Sequence, residues 1–257
     1  MPAKIIYNGS TIASVEPGQV ATVATKGNVM TSDIVVDMSI MNGGSYDEGV
    51  EAGRQAEYDA FWDGYQQNGN RTNYSYGFAG PGWNNDTFIP KYPIRVVGDA
   101  SYMFSYCGLT EYDFVEKGID LDFSGATKLT YLFRECGGIV RVGAIDVTGC
   151  KDVNRPFFGS SIKTIDSFIV SEATIYDNTF ANAFSLENIT VNGTIGKSIS
   201  FTDSKVLSNA SVQSIIDHLK DLTGATAQTL TLHATVGGKL TEAQKAAITA
   251  KNWTLVY

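Results

Sequence analysis

The sequence predicts an α+β protein in which a small amino-terminal β module and a connecting helix precede a solenoid. Three observations support this prediction. The hydrophobic pattern changes from strand-like alternation to helical spacing after residue 41. A segment pattern then returns four times between Tyr102 and Gly193. A fixed period in the twenties is typical of solenoids, in which each repeat buries one face against its neighbours. Each repeat has an aromatic anchor, and the anchors are Phe104, Phe133, Phe157 and Phe180.

The repeat length points to one class of solenoid. The anchors lie 29, 24 and 23 residues apart, so the first interval holds an insertion. A second apolar element stands ten residues before three of the anchors, at Phe123, Val147 and Val170. Because about 23–24 residues is a typical length for a leucine-rich repeat, we predict a leucine-rich-repeat solenoid with a strand/helix carboxyl-terminal cap over residues 73–257. A small residue follows each anchor three places on: Cys107, Cys136, Ser160 and Ala183.

An aspartate directly precedes the apolar element in two of the repeats, at Asp122 and Asp146. We interpret these carboxylates as hydrogen-bond acceptors in turns or at strand edges. A calcium site needs several oxygen ligands close together, and this spacing does not provide them.

Residues 1–41 are predicted to form a small β module. Residues 4–7 are a short apolar strand, and the Asn8-Gly9 pair that follows is a strong hairpin signal. Strand-like alternation continues over residues 10–15 and 32–38. A core of this size provides little stability by itself. We therefore expect the module to attach to another protein or to the rest of the chain.

Residues 42–72 are predicted to form a helical linker with one apolar stripe that includes Tyr58 and Phe61. The stripe predicts either self-association, as a homotrimer, or packing against the solenoid of the same chain. The acidic residues of this segment are interpreted as a solvated face and not as a catalytic pair, because nothing around them predicts a cleft or a shifted pKa. They are Asp47, Glu48, Glu51, Glu57, Asp59 and Asp63.

The two ends of the predicted solenoid have their own patterns. Residues 73–83 are rich in aromatic residues and glycine, which predicts either a cover over the open end of the solenoid or a carbohydrate-stacking loop. Residues 211–222 have a helical apolar face. A strand over residues 228–233 follows, then a helix that begins with a capping box at Thr241 and ends near Lys251, then a final strand.

Composition excludes several partners and cofactors. The net charge of −8, without any run of basic residues, argues against binding to nucleic acid. No segment approaches the ~20 apolar residues of a membrane helix, so we expect no membrane insertion. We expect no signal peptide, because the first residues lack a basic region followed by an apolar stretch. Three cysteines are too few for a disulfide framework and are expected to be reduced. Two histidines, His218 and His233, are too few to complete a metal site, so no metal or cofactor is predicted.

The repeats resemble a known family. Met103-Phe104-x-x-Cys107-x-Leu109 and its counterpart from Leu132 alternate with the Asp122-Phe-Ser-Gly-Ala motif. These segments resemble the BspA-type leucine-rich repeats of bacterial surface proteins, which also occur in phages of gut bacteria. Residues 4–10 and 29–35 resemble the amino-terminal module of phage tail, baseplate or fibre proteins. Residues 222–255 are similar to the endings of those proteins.

The resemblance implies a non-enzymatic phage tail or fibre protein of the virion, assembled in the host cytoplasm. Residues 1–41 would attach to other tail or baseplate proteins. The repeat surface would bind a host cell-surface glycan or protein, with avidity from several copies. The alternative is a bacterial cell-surface adhesion or protein-interaction module with the same repeats. A hydrolase of cell-wall glycans is disfavoured, because no paired carboxylates stand in a recognisable site. The sequence predicts no catalytic residues and does not identify the receptor-binding residues.

Overall fold

The chain divides into two compact units, Met1–Asn68 and Gly69–Tyr257. The computed structural model describes three strands of the first unit and, in the second, residues 74–86, 88, 90, 94–176 and 178–257. The helical linker predicted over residues 42–72, with its apolar stripe and carboxylates, lies outside the described residues.

The three described strands of the first unit form an antiparallel sheet in the order β2-β1-β3. Tyr7 at the end of one strand pairs with Ser10 at the start of the next, which confirms the hairpin predicted from Asn8-Gly9. The strands are β1 (Ala3–Tyr7), β2 (Ser10–Val15) and β3 (Ile34–Val36).

The described part of the second unit contains nine strands and three helices. The strands are β4 (Ile94–Asp99), β5 (Tyr112–Asp113), β6 (Leu121–Lys128), β7 (Ile139–Asp146), β8 (Thr164–Val170), β9 (Asn188–Gly193), β10 (Ile199–Phe201), β11 (Gln228–Leu232) and β12 (Trp253–Val256). The helices are α1 (Asn209–Asp217), α2 (Ala234–Gly237) and α3 (Glu242–Ala250).

These nine strands form three small sheets, and every pairing within them is parallel. The first sheet pairs β4 with β6, and the second has the order β5-β7-β8-β9. The third has the order β10-β11-β12. Parallel pairing requires a crossover between partners, and residues 20 or more positions apart therefore become neighbours.

The predicted leucine-rich-repeat solenoid is wrong. Helix makes up 12% of the structure and strand 31%, in small, mostly parallel sheets. Between Ile94 and Gly193 the described residues contain no helix, although the prediction placed four repeats there. The predicted strand/helix cap is a three-stranded parallel sheet with helices between its strands. The error arose because a period in the twenties reveals equivalent segments without defining the backbone that connects their strands.

Turn segments, such as residues 101–106 and 130–135, lie between the strands of the repeats. Tyr102 and Tyr106 both have left-handed backbone conformations, with φ of 59° and 56°. Their N–H groups donate to the next repeat, at Thr130 O (2.9 Å) and Arg134 O (2.8 Å). A left-handed conformation is costly for a residue other than glycine. Hydrogen bonds between the repeats offset that cost and satisfy the backbone of each turn.

The core of the second unit contains a column of six phenylalanine rings, here called the aromatic ladder. Phe104 stacks on Phe133 with centroids 5.2 Å apart, and the four predicted anchors stack in sequence order. The four anchors therefore form one continuous stack, and the structure adds one ring at each end. All six side chains are buried, so the ladder is the apolar centre against which the strands pack. They are Phe78, Phe104, Phe133, Phe157, Phe180 and Phe201.

The two aspartates predicted as turn acceptors have that role. Asp122 Oδ1 accepts from Ser124 N at 3.0 Å, and Asp146 Oδ1 accepts from Thr148 N at 2.8 Å. Asp99 makes the same bond to Ser101 N at the end of β4. Each bond satisfies a backbone donor where the chain bends, as short carboxylate side chains do in Asx turns.

The three cysteines are free, as predicted, and the structure shows that all three are buried. Cys107 and Cys136 occupy the same place in successive repeats, and their Sγ atoms lie 3.2 Å apart. Burial raises the pKa of Cys150 to about 12, so this thiol remains protonated at neutral pH.

Residues 208–257 follow the local sequence signals closely. Thr241 and Gln244 form the predicted capping box at the start of α3. Gln244 also donates to Asn209 Oδ1 and Gln213 Oε1 on α1, each at 3.1 Å, which joins the two helices. The helix predicted over residues 211–222 is shorter than expected, because α1 ends at Asp217.

Candidate ligand-binding pocket

An open pocket of about 530 Å³ lies at one edge of the β10-β11-β12 sheet. Its lining follows from the topology, because parallel strands bring their carboxyl ends to the same edge. Most of the lining residues lie at or just after the end of a strand, and Phe184 comes from the segment before β9. The lining residues are Phe184, Thr202, Asp203, Lys205, Thr231, Leu232, His233, Ala234, Val256 and Tyr257.

The strand register explains why these residues meet. Phe201 pairs with Leu232, and Thr231 pairs with Val256, so the three strands end nearly level. Phe201 and Leu232, near the carboxyl ends of their strands, are buried in the core. The residues that follow them are at least partly exposed at the surface. The carboxyl edge of a parallel sheet is a common place for ligand binding in α/β proteins.

Two aromatic side chains border the pocket with much of their surface free. Phe184 is 52% exposed and Tyr257 is 50% exposed. Tyr257 lies directly over Gly237, where a Cβ atom would overlap its Cβ and Cγ atoms. The missing side chain at Gly237 therefore lets Tyr257 lie against α2. In the described part of the chain, neither Phe184 nor Tyr257 stacks with another ring.

Two polar residues of the lining, Asp203 and His233, accept hydrogen bonds from backbone N–H groups. Asp203 Oδ2 accepts from Asn182 N at 2.7 Å, which fixes one carboxylate oxygen and leaves the other available. Asn182 has a left-handed backbone, with φ of 57°, and lies two residues before Phe184. His233 Nδ1 accepts from Thr235 N at 3.1 Å, so in the neutral ring the proton is on Nε2. Lys205 is exposed at the pocket rim.

A second group of surface aromatic residues is joined by ring contacts. Tyr76 and Tyr102 stack with centroids 4.8 Å apart and planes 1° apart, and Tyr102 stacks on Tyr131 at 5.3 Å. The guanidinium carbon of Arg134 lies 5.2 Å from the Tyr106 ring centroid and 5.1 Å from that of Tyr131. This tyrosine ladder connects neighbouring repeats through ring stacking and cation–π contacts. Its rings are therefore used within the protein.

The aromatic segment predicted as a cover or a carbohydrate-stacking loop is largely part of the core. Phe78 is fully buried and stacks on Phe104 at 5.1 Å, while Trp83 packs edge-on against Phe78 at 5.1 Å. Phe78 N donates to Met103 O at 2.7 Å. The segment thus continues the pattern of the repeats.

The structure also places the two histidines. His218 ends α1, where its Nδ1 lies 2.8 Å from Ser214 O, and His233 lines the pocket. Within the described residues, no group of three or more His, Cys, Asp or Glu side chains is arranged to hold a metal ion. The helices of the same part of the chain include none with the length and apolar character needed to cross a membrane.

No family model, curated protein or solved structure matches this chain.

Sequence reasoning identified none of the pocket residues as a site. The strands that precede them were predicted over residues 228–233 and 253–257, but β10 was not. One feature of the sequence could have indicated the site: polar or aromatic residues follow short apolar strands at residues 202, 233 and 257. Their proximity depends on parallel pairing, which local patterns do not show.

Proposed function

We propose that this protein is a non-enzymatic tail or fibre component of a phage virion, and that it binds a receptor on the host cell surface. The pocket at the carboxyl edge of β10-β11-β12 is the proposed receptor contact. Residues 1–41 attach the protein to other tail or baseplate proteins. The likeness of residues 4–10, 29–35 and 222–255 to phage tail proteins supports the assignment to a virion.

The pocket is the observation that carries the proposed binding function. It combines two exposed aromatic rings with the side chains of Asp203 and His233, which are held by hydrogen bonds from backbone N–H groups. Apolar side chains with a few well-placed polar groups are a typical composition for a ligand site. Among the described residues that line it, Asp203 has the only carboxylate side chain. Glycoside hydrolysis normally uses two carboxyl groups on either side of the bond that breaks. This composition favours binding over hydrolysis.

Immunogold electron microscopy tests the assignment to a virion. Particles are collected from a bacterial culture that carries the gene and releases phage, and they are stained with antibody to this protein. We expect label on the tail. Label on the bacterial envelope, with none on particles, would contradict the proposal and favour a bacterial adhesion module.

Cell binding tests the receptor contact. The fluorescently labelled full chain is incubated with cells on which the phage grows, and with a resistant mutant that no longer adsorbs it. We expect saturable binding to the sensitive cells, loss of binding to the resistant mutant, and inhibition of phage adsorption by excess protein. Equal binding to both strains would overturn receptor recognition.

A further inference from the structure

We infer that the carboxyl-edge pocket binds a neutral saccharide ring, with Phe184 and Tyr257 as its apolar contacts and Asp203, Lys205 and His233 as its hydrogen-bonding groups. The inference rests on the proposed receptor-binding function, because it names the ligand class for the same pocket. Three properties of the site lead to it: free aromatic surface, complementary polar groups and local charge balance.

The aromatic side chains of the pocket differ from the other surface aromatics because, in the described part of the chain, they stack with no other ring. A saccharide ring presents a face of C–H groups, and an aromatic side chain provides an apolar face of similar size. Tyr76 and Tyr102 stack on each other at 4.8 Å, so a sugar has no access to the faces between them. Phe184 and Tyr257 are each about half exposed and border the same cavity.

The polar side chains of the pocket match the neighbouring hydroxyl groups of a sugar, because a hydroxyl group both donates and accepts hydrogen bonds. Asp203 supplies an acceptor whose position is fixed by the 2.7 Å bond from Asn182 N. His233 supplies an Nε2–H donor, because Thr235 N occupies its Nδ1. Lys205 supplies further donors from the rim. Because two of these groups are already held by the backbone, less conformational freedom is lost on binding.

Charge favours a neutral sugar over an anionic one. Asp203 and Lys205 are the oppositely charged side chains of the lining, so the charges of the lining side chains balance. The whole chain has a net charge of −8, which repels anionic ligands at a distance. A volume of about 530 Å³ lies within the ~300–1,000 Å³ range of small-molecule sites. This concave site therefore suits one end of a glycan better than the surface of a protein receptor.

A glycan array followed by titration calorimetry tests the inference. The array carries neutral hexose, N-acetylhexosamine and uronic-acid termini, and the full chain is the probe. We expect binding to a subset of neutral termini. Phe184→Ala and Asp203→Asn are each expected to weaken the affinity for the selected sugar at least tenfold. Asparagine retains an oxygen that can accept from Asn182 N, so the second substitution removes the charge while it preserves that anchor.

Tyr76→Ala is the matched control, because Tyr76 is an exposed aromatic residue outside the pocket. We expect this variant to bind the sugar like the wild type. Absence of neutral-sugar binding, binding only to uronic-acid termini, or unchanged affinity in both pocket variants would overturn the inference. Thermal melts of all variants establish that they are folded.

The cell-binding assay distinguishes failure of this inference from failure of the proposed function. If the protein binds sensitive cells, but Phe184→Ala and Asp203→Asn bind them equally well, the receptor function stands and the saccharide site is wrong. If a neutral sugar binds in the pocket but the protein ignores sensitive cells, the site stands and the receptor function is wrong.

Discussion

The rings of Phe104 and Phe133 lie face to face, 5.2 Å apart and inclined by 14°, although 29 residues separate them in the chain. Phe133 also stacks on Phe157 at 6.2 Å and is fully buried. A buried ring between two others contributes its apolar area and its stacking energy. The aromatic ladder is therefore a main source of stability in the second unit.

Phe133→Ala is expected to lower the free energy of unfolding by about 3–5 kcal/mol, because it leaves a cavity between two fixed rings. Urea denaturation followed by circular dichroism measures the loss. Phe184→Ala is the control, since Phe184 is 52% exposed and its removal is expected to change stability by no more than about 1 kcal/mol. Similar losses for the two variants would contradict the role of the ladder.

Replacement of Cys107 by Ser together with Cys136 by Ala is expected to preserve the fold, because Ser160 and Ala183 occupy the equivalent places in later repeats. In the native protein at pH 8, we expect iodoacetamide to leave all three cysteines unmodified, since they are buried. All three should react in urea, as counted by mass spectrometry. A native disulfide between Cys107 and Cys136, or fast alkylation, would overturn this prediction.

Asp122 is expected to make stability dependent on acid pH. Hydrogen bonds from the Ser124 side chain and backbone, together with the Arg95 guanidinium 2.8 Å away, lower the pKa of Asp122. A lowered pKa in the folded state means that the contribution is complete above the ordinary pKa of about 3.9 and is lost as pH falls through the folded value. Asp122→Asn should therefore be less stable than the wild type at pH 7, and the difference should shrink as the pH falls below about 4.

Denaturation midpoints measured at pH 7, 5, 4 and 3 test this prediction. Asp120→Asn is the control, because Asp120 is exposed two residues away. We expect its stability to differ little from that of the wild type at every pH. A constant difference between Asp122→Asn and the wild type would show that ionisation of Asp122 does not contribute.

Gly237→Ala is expected to weaken neutral-sugar binding about tenfold, because the new methyl group must displace Tyr257 from its place over α2. Gly238→Ala is the matched control. Gly238 has φ of −67°, and a Cβ there would lie 3.2 Å from its nearest neighbour, Ala234 O, so a slight adjustment accommodates it. Calorimetry on both variants measures the effect. Wild-type affinity in Gly237→Ala would show that the position of Tyr257 is unimportant for binding.

The homotrimer predicted through the linker remains a prediction, because residues 42–72 lie outside the described part of the chain. Light scattering on the full chain is expected to give three times the monomer mass, and a shortened chain that starts at residue 73 should be monomeric. The trimer would multiply the weak affinity of a single pocket. If the full chain is monomeric, the trimer prediction is wrong, and any avidity must come from the tail to which the protein attaches.

The sequence by itself determined the features that depend on residues close together in the chain. The Tyr7–Ser10 hairpin, the Asp122 turn and the Thr241–Gln244 capping box each satisfy backbone groups within a few residues, and the responsible side chains were visible in the sequence. The common position of the phenylalanine anchors was also visible, because repeated burial leaves a repeated pattern.

Only the tertiary structure decided how the repeats connect and where a pocket forms. Tyr102 and Tyr131 adopt left-handed backbones because hydrogen bonds to the next repeat offset the cost, and no glycine marks these positions in advance. The same period therefore predicted a leucine-rich repeat where the chain forms turns and three separate sheets. Phe184 and Tyr257 border one cavity because parallel pairing aligns strand ends from distant segments, and local sequence patterns do not encode that alignment.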